Sequence, residues 1–410
     1  MSVYLLGTLD TKGAEVGFIR DLLRQLSIPT CVMDTGCLGE PTIAADIPRD
    51  VVFQSANQNL ADLRKQGDRG QAVTQAARGA TRLVLEAHAR GELEGILSLG
   101  GSAGTSIGTS AMRALPLGIP KLMVSTLASG QTRPYVGSKD ILMLNAVVDI
   151  AGINRISRII LTNAAHAMAG MIKHRPGTGI LPQTADRPLI AATMFGVTTP
   201  CVDRARQVLE EAGYEVLVFH ATGTGGEAME GLIADGVFAG VLDITTTELA
   251  DELVGGTLTA GPTRLTAAGR CGIPQVISVG ALDMVNFGPR NSVPDRFSHR
   301  KFYEHNPTVT LMRTTVEENQ KLGEEIGKKA LAATGPTAIL FPLKGVSAID
   351  QAGKTFDDVL ARQALANGIR TTHDSVEFIE LDLHINDAEF AEAAAKKLLE
   401  LIGHRVVSTS

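Results

Sequence analysis

Residues 3–13 read VYLLGTLDTKG, and this stretch decides the fold class. An apolar run ends at Gly7, and a polar loop leads into a segment with apolar residues at helical spacing. A second apolar run, residues 30–33, follows and ends at Asp34. This succession predicts a strand–helix–strand unit, and we expect its crossover to be right-handed.

The same succession recurs along the chain. Further strands are predicted at residues 95–99, 121–125 and 141–144, and a long helix at 156–172. The pattern stops at residues 173–188, which hold three prolines and two glycines, and it begins again at residue 189. We therefore predict an α/β protein of two tandem Rossmann-like domains, residues 1–182 and 183–410, with doubly wound, mainly parallel sheets.

A weak internal repeat relates the two halves. Residues 28–34 resemble residues 214–220, and residues 117–126 resemble residues 271–280. The two matches agree if the first half carries extra residues within 36–94. Either a duplication or ordinary convergence of strand–helix units explains this order.

Composition narrows the class of protein. The 410 residues are 44% hydrophobic, include no Trp and carry a net charge of −6, which argues against nucleic acid as a partner. The four cysteines form no CxxC pair, as is typical of a reducing compartment. With neither a signal peptide nor an apolar run that could span a membrane, we expect a cytoplasmic protein.

Polar loops follow the predicted strands of the first half. The loop at residues 7–13 precedes a helix, and GGSAGT at residues 100–105 follows another strand, so backbone N–H groups there could hold an anion. A capped turn or tight strand–helix packing remains the alternative. The candidate nucleotide-binding residues are Thr8, Asp10, Thr11, Lys12, Asp34, Gly100, Gly101, Ser102, Gly104, Thr105, Ser125 and Thr126.

The second half offers a further set of strand-end residues and a basic segment. Residues 296–307 mix cations, imidazoles and aromatics, and we consider both a solvated helix end followed by a loop and a lid that transfers protons. The candidate catalytic residues are His299, Lys301 and His305. The candidates for a second binding floor are Thr222, Gly223, Asp243, Thr245, Asp283, Asn286, Arg300 and Lys344. No metal-binding motif is present, although magnesium could accompany a nucleotide.

Several of these motifs resemble one family along nearly the whole chain. They are GTLDTKG, MDTG at 33–36, GGSAGT, GALDMVNFG at 280–288, HRKFYEHNPTVTLMRT at 299–314 and FPLKGVSAID at 341–350. The chain resembles the ATP-binding domain family named after the plant tobamovirus-resistance protein, long described as uncharacterised. The resemblance implies two Rossmann-like subdomains, ATP binding and a homodimer. The TIM barrel that follows in the plant protein is not expected here.

Three functions remain open from the sequence. The first is a nucleotide (ATP)-binding enzyme acting on a small anionic metabolite in a cleft between the two domains. The second is an ATP-independent lyase or hydrolase of a carboxylated or phosphorylated small molecule. The third is a non-catalytic nucleotide-binding regulator that acts through a protein partner.

Overall fold

Strand β1 (Ser2–Gly7) lies near the centre of the first sheet, with β2 (Thr30–Asp34) on one side and β3 (Leu93–Gly100) on the other. The computed structural model describes residues 1–174, 187–372 and 375–408. The chain divides into two units, Met1–Thr184 and Ala185–Ser410. The predicted boundary at residues 182 and 183, and most of the predicted connector, lie outside the described residues.

The first unit is a five-stranded sheet covered by helices. Its order is β2-β1-β3-β4-β5, with β4 (Lys121–Ser125) and β5 (Leu142–Asn145), and every pairing is parallel. The helices are α1 (Leu9–Gln25), α2 (Arg49–Ser55), α3 (Leu60–Gln66), α4 (Arg69–Ala89), α5 (Ser102–Ala114), α6 (Arg133–Val136) and α7 (Arg155–Lys173).

Both faces of this sheet are buried, because alternate side chains of β1 enter two different cores. Val3 and Leu5 pack with the apolar faces of α1 and α7, whereas Tyr4 and Leu6 pack with those of α4 and α5. The chain leaves β1 toward one edge and returns through β3 toward the other. The order reverses between β1 and β3, which is where open α/β sheets bind their ligands.

The second unit contains a six-stranded parallel sheet. Its order is β14-β13-β9-β8-β6-β7. The strands are β6 (Leu189–Met194), β7 (Glu215–His220), β8 (Gly240–Thr245), β9 (Gln275–Gly280), β13 (Thr337–Pro342) and β14 (Glu377–Leu381). The helices are α8 (Thr199–Glu211), α9 (Thr224–Ala234), α10 (Glu248–Val254), α11 (Ala267–Arg270), α12 (Val316–Leu331), α13 (Val359–Arg370) and α14 (Ala388–Ser408).

A small antiparallel sheet accompanies it. The strands β10 (Met284–Phe287), β11 (Phe302–Asn306) and β12 (Val309–Arg313) pair in the order β10-β12-β11. The predicted fold class is confirmed, and this sheet is the departure from parallel pairing. The alternative of a helix end followed by a loop at residues 296–307 agrees with the structure only in part: a short 3₁₀ helix ends at Phe297, but the second half of the segment is strand β11.

The two large sheets place their first five strands in the same order. The repeat seen in the sequence relates β2 to β7 and β4 to β9, which are the second and fourth strands of their units. The extra residues of the first unit form α2 and α3, because a single helix, α9, connects β7 to β8. Topology and sequence therefore agree on the repeat.

Candidate functional site

A polar cavity of about 230 Å³ opens in the first unit at the carboxyl ends of the strands. It lies where the strand order reverses, because the loops that follow β1 and β3 form two of its walls. The loops after β2 and β5 and the start of α4 complete it. The lining residues are Thr8, Asp10, Thr11, Lys12, Thr35, Cys37, Leu38, Arg69, Val73, Gly100, Gly101, Ser102, Ala103, Gly104, Ile107 and Asp149.

The N-terminus of α5 faces this cavity without a side-chain cap. Its N-cap residue is Gly101, and the first helical hydrogen bond runs from the N–H of Thr105 to the carbonyl of Gly101 at 2.8 Å. The preceding N–H groups, of Ser102, Ala103 and Gly104, have no acceptor within the helix, and all three residues line the cavity. Uncapped N–H groups at the positive end of a helix attract an anion.

The N-terminus of α1 forms the opposite wall. Thr8 is the N-cap residue, but its hydroxyl bonds the hydroxyl of Thr11 at 2.8 Å and does not cap the helix. The backbone leaves helical geometry at Lys12 (φ −129°, ψ 17°), which marks a kink in the first turns of α1. Two helix starts therefore line one cavity, and neither is capped by its own N-cap side chain.

Charges of both signs surround the cavity. Lys12 donates from Nζ to the carbonyl of Ile150, whereas exposed Arg69 has no hydrogen bond or ion pair within the described ranges. Asp10 accepts from the N–H of Leu38 at 2.8 Å. Among the described residues, the side chain of Asp149 accepts one hydrogen bond, from the N–H of Ile150 at 2.8 Å. Asp10 also pairs with Arg49 Nη1 at 3.9 Å, and its side chain is only 2% exposed. The site thus offers one uncommitted guanidinium, Arg69, and one exposed carboxylate, Asp149.

The remaining wall is apolar. Leu38, Val73 and Ile107 line the cavity beside Cys37. Burial raises the pKa of the Cys37 thiol, so this side chain stays neutral near pH 7. A ligand with an anionic end and an apolar face matches these walls.

Eight of the predicted binding residues of the first half line the cavity, and four do not. Asp34 is buried, accepts from the N–H groups of Leu9 (3.1 Å) and Gly36 (2.8 Å), and pairs with Arg49 Nε at 2.6 Å. These bonds hold the loops after β1 and β2 in place, and the Asp34 side chain does not line the cavity.

The other three lie beneath or beside the glycine loop. The hydroxyls of Thr105 and Ser125 bond each other at 2.7 Å, and both side chains are buried between α5 and β4. The N–H of Thr126 donates to the carbonyl of Gly100 at 3.3 Å. These residues position the loop and do not line the cavity.

Strand-end residues of the second unit are occupied by a buried ion network. The carboxylate of Asp243 accepts hydrogen bonds from both terminal nitrogens of Arg264, at 2.5 and 2.7 Å. It also accepts one from the hydroxyl of Thr193, at 2.7 Å. The carbonyl oxygen of Thr245 accepts a hydrogen bond from Arg264 Nη2 at 3.3 Å. Thr222 bonds the carbonyl of His220, and the N–H of Gly223 donates to Glu248 at 2.7 Å. These polar groups bond partners within the protein, and a ligand contact at the second binding floor stays a prediction for them.

Two further candidates are buried in structural contacts. Asp283 accepts the hydroxyl of Ser347 at 2.8 Å and is fully buried, and burial raises its pKa to about 7. Asn286 donates from Nδ2 to Asp251 Oδ2 at 2.7 Å. Neither side chain reaches a surface where a ligand could contact it.

The basic segment presents its predicted catalytic residues to solvent. His299, Lys301 and His305 are exposed, and His305 lies on β11. Arg300 forms a two-point ion pair with Glu318, at 2.9 and 2.6 Å, and Lys344 pairs with Asp382 at 3.1 Å. The structure provides no enclosed acid–base arrangement for this segment within the second unit, so its catalytic role stays a prediction.

Asp251 predicts a pH dependence of stability. Burial raises its pKa to about 7, so the folded state holds a proton that the unfolded chain releases near pH 4. This contribution to stability is complete below pH 4 and is lost as the pH rises toward 7. One such group lowers the free energy of unfolding by up to about 1.4 kcal/mol per pH unit.

Asp251→Asn should therefore flatten the profile of unfolding free energy between pH 4 and 7, measured by urea denaturation. Asn286 Oδ1 has no hydrogen-bond partner, and rotation of that amide would let it accept from the new side chain. Glu252→Gln, an exposed position on the same helix, serves as the control and should keep the wild-type slope. Equal slopes in the two variants would contradict the assignment.

In the part of the chain that the structure describes, no group of three or more His, Cys, Asp or Glu side chains is arranged to hold a metal ion. Nor is any described helix long and apolar enough to cross a membrane.

Comparisons with known proteins match both units. The model of the "Uncharacterised protein family (UPF0261) N-terminal domain" matches residues 1–177, and the model of its C-terminal domain matches residues 187–402. A "UPF0261 protein" of Clostridium tetani is 52% identical over 403 residues, which are 98% of each chain. Another, from Mesorhizobium japonicum, is 46% identical over 396 residues, which are 96% of this chain and 97% of that one.

A plant protein is also similar. The "ToMV resistance protein Tm-1(GCR237)" of Solanum lycopersicum is 40% identical over 428 aligned residues, covering 97% of this chain and 55% of the tomato protein. The link to the resistance-protein family that the sequence motifs predicted is confirmed. Binding of ATP stays a prediction.

Proposed function

Because the chain belongs to the UPF0261 family and its first unit opens a polar cavity at the switch point, we propose that it binds a nucleotide, ATP, in that cavity. The observation that carries the proposal is the N-terminus of α5, which faces the cavity without a side-chain cap. The start of α1 lies opposite, but there the N–H of Leu9 already bonds Asp34. Backbone N–H groups at such termini bind phosphate in many nucleotide-binding proteins.

The phosphates would lie against the first turn of α5. The N–H groups of Ser102, Ala103 and Gly104 supply donors, and the absence of a side chain at Gly101 lets a phosphate approach the backbone. Arg69 adds a charge that no described residue neutralises by an ion pair, and Lys12 adds a second. The apolar wall of Leu38, Val73 and Ile107 would contact the base.

Magnesium would enter with the nucleotide and not through a preformed site. Asp10 Oδ1 and Asp149 Oδ2 accept no hydrogen bond from the described residues, and both side chains line the cavity. Carboxylate oxygens together with phosphate oxygens are the ligands that Mg²⁺ prefers. Asp149 is exposed and fits a nucleotide that carries its metal, whereas the side chain of Asp10 is buried beside Arg49 and would have to move to reach the metal.

A second candidate is a small phosphorylated or carboxylated metabolite bound without a nucleotide. The cavity volume of about 230 Å³ favours it, since pockets for larger organic ligands span about 300–1,000 Å³. In that case the anionic group would occupy the same α5 terminus.

The resemblance also predicts a homodimer, which sedimentation of the purified protein would test.

A ligand panel tests the proposal and separates the two candidates. Thermal denaturation is measured with ATP, ADP and AMP, each with and without Mg²⁺, and with inorganic phosphate, pyrophosphate and small sugar phosphates. We expect ATP with Mg²⁺ to give the largest rise in melting temperature. Stabilisation by a sugar phosphate with none by ATP would favour the second candidate, and no response to any anion would reject the site.

Arg69→Ala should weaken ATP binding by roughly tenfold or more, because a charge-assisted hydrogen bond contributes about 1.5–3 kcal/mol. The residue is exposed, so the free energy of unfolding without ligand should change by less than about 0.5 kcal/mol. Arg78→Ala is the matched control, on the same helix, exposed and outside the cavity lining. Calorimetric titration gives both affinities, and equal values would remove Arg69 from the site.

A further inference from the structure

The start of α9 in the second unit also holds an anion, and that anion is part of the protein. The N–H groups of Gly223 and Gly226 donate to Glu248 Oε1 at 2.7 and 3.1 Å. Glu248 is fully buried. A Cβ atom at Gly226 would lie 2.2 Å from Glu248 Oε2, so glycine is required for the carboxylate to come this close.

A buried arginine completes the arrangement. Arg264 Nε donates to Glu248 Oε2 at 2.6 Å, while its two terminal nitrogens bond Asp243. The side chain of Arg264 has no exposed surface. Proteins use the same set of hydrogen-bond donors, a guanidinium and backbone N–H groups at a helix N-terminus, to bind free carboxylates and phosphates.

The two units differ at the position of Glu248, whose carboxylate bonds the start of α9 and not the start of its own helix, α10. In each unit the third strand is followed by a helix, and Glu248 is the first residue of that helix in the second unit. The corresponding first residue in the first unit is Ser102, which follows β3 and lines the open cavity. Serine is too short to occupy an anion position, whereas glutamate reaches one.

We infer that the second unit contains an anion-binding site whose occupant is the carboxylate of Glu248, and that the site accepts a small free carboxylate once this side chain is removed. The wild-type chain therefore closes the second site to external anions. This inference concerns the second unit alone and does not depend on ATP binding by the first.

Glu248→Ala tests the inference, because the atoms it removes correspond to one acetate ion. We expect the variant to melt at a lower temperature than the wild type in chloride, and acetate at equal ionic strength to raise its melting temperature by several degrees. Acetamide, which has a similar shape but no charge, should not raise the melting temperature of the variant. The measurement is made at pH 8, where a free carboxylate such as acetate is ionised.

The wild type and Glu252→Ala are the controls. We expect each of them to have the same melting temperature in acetate and in chloride. Glu252 lies on the same helix, α10, as Glu248, but its side chain is exposed. If acetate, acetamide and chloride act alike on Glu248→Ala, the site does not bind a free carboxylate and the inference is wrong.

Glu248→Gln keeps the test decisive if the alanine variant fails to fold. It preserves the size of the side chain and removes its charge, so we expect a lower melting temperature that acetate does not restore. A glutamine variant as stable as the wild type would show that no anion is needed there. No nucleotide is used, so this outcome is independent of the ligand panel.

Discussion

Gly101→Val should abolish the stabilisation of the protein by ATP. At a hundredfold excess over the dissociation constant, ligand binding raises the free energy of unfolding by about 2.7 kcal/mol, and the variant should lose this increment. A valine here would place its methyl groups where a phosphate must approach the N-terminus of α5. Thermal denaturation with and without ATP measures the effect.

The fold should tolerate this substitution. The nearest atom outside the adjoining backbone to a Cβ at Gly101 is Thr126 Oγ1, at 3.7 Å, which is ordinary contact. At Gly104 a Cβ would lie 2.9 Å from the carbonyl oxygen of Leu99, so a change there would confuse binding with packing. Gly196→Val, at an exposed loop glycine with open space around it, is the control and should keep the full ATP response.

Ser102→Glu should block the cavity from within. The new carboxylate would stand at the first position of α5, where it occupies the uncapped N–H groups and repels a phosphate. We expect ATP affinity to fall by at least about tenfold, a loss of about 1.4 kcal/mol. The ligand-free protein should become more stable by about 0.3–1 kcal/mol, because an acidic side chain at a helix start is favourable.

Ser102→Gln separates charge from bulk in this experiment. It has nearly the same size as the glutamate and no charge, so it should bind ATP more tightly than Ser102→Glu. Calorimetric titration of both variants under identical salt gives the comparison. If both lose affinity equally, the effect is steric and the N-terminus of α5 does not select an anion.

The loops of the candidate site could be predicted from the sequence, but its composition could not. The segments after β1 and β3 show the change from an apolar run to a glycine-rich loop and a helix, and this local signal is sufficient to identify them. Arg69 and Asp149 carry no such signal. They reach the cavity from the start of α4 and from the loop after β5, and only tertiary packing brings them there.

The second unit shows why strand-end polarity alone is not a binding site. Asp243 lies within β8, near its carboxyl end, and its partner Arg264 lies in an irregular loop between α10 and α11. That pairing spans distant parts of the sequence and buries both charges. No local pattern distinguishes an aspartate that awaits a ligand from one already paired inside the protein.

The strand within the basic segment could not be predicted from the sequence, for a different reason. Its charges suggested a mobile lid, but Phe302 and Tyr303 belong to β11, which pairs with β12 in antiparallel register. Arg290 stacks on Phe302 with its guanidinium carbon 3.9 Å from the ring centroid. An exposed edge strand keeps many polar side chains, so a strand of this kind has no clear apolar alternation in its sequence.

Amide hydrogen exchange of the wild-type protein with and without ATP and Mg²⁺ tests the central claim most directly, because it locates the bound ligand along the chain. Binding of ATP in the first unit predicts slower exchange in peptides that cover residues 7–13 and 100–105. It also predicts unchanged exchange at residues 222–226, where Glu248 already accepts hydrogen bonds from the backbone. Protection confined to the second unit, with none at residues 100–105, would contradict it.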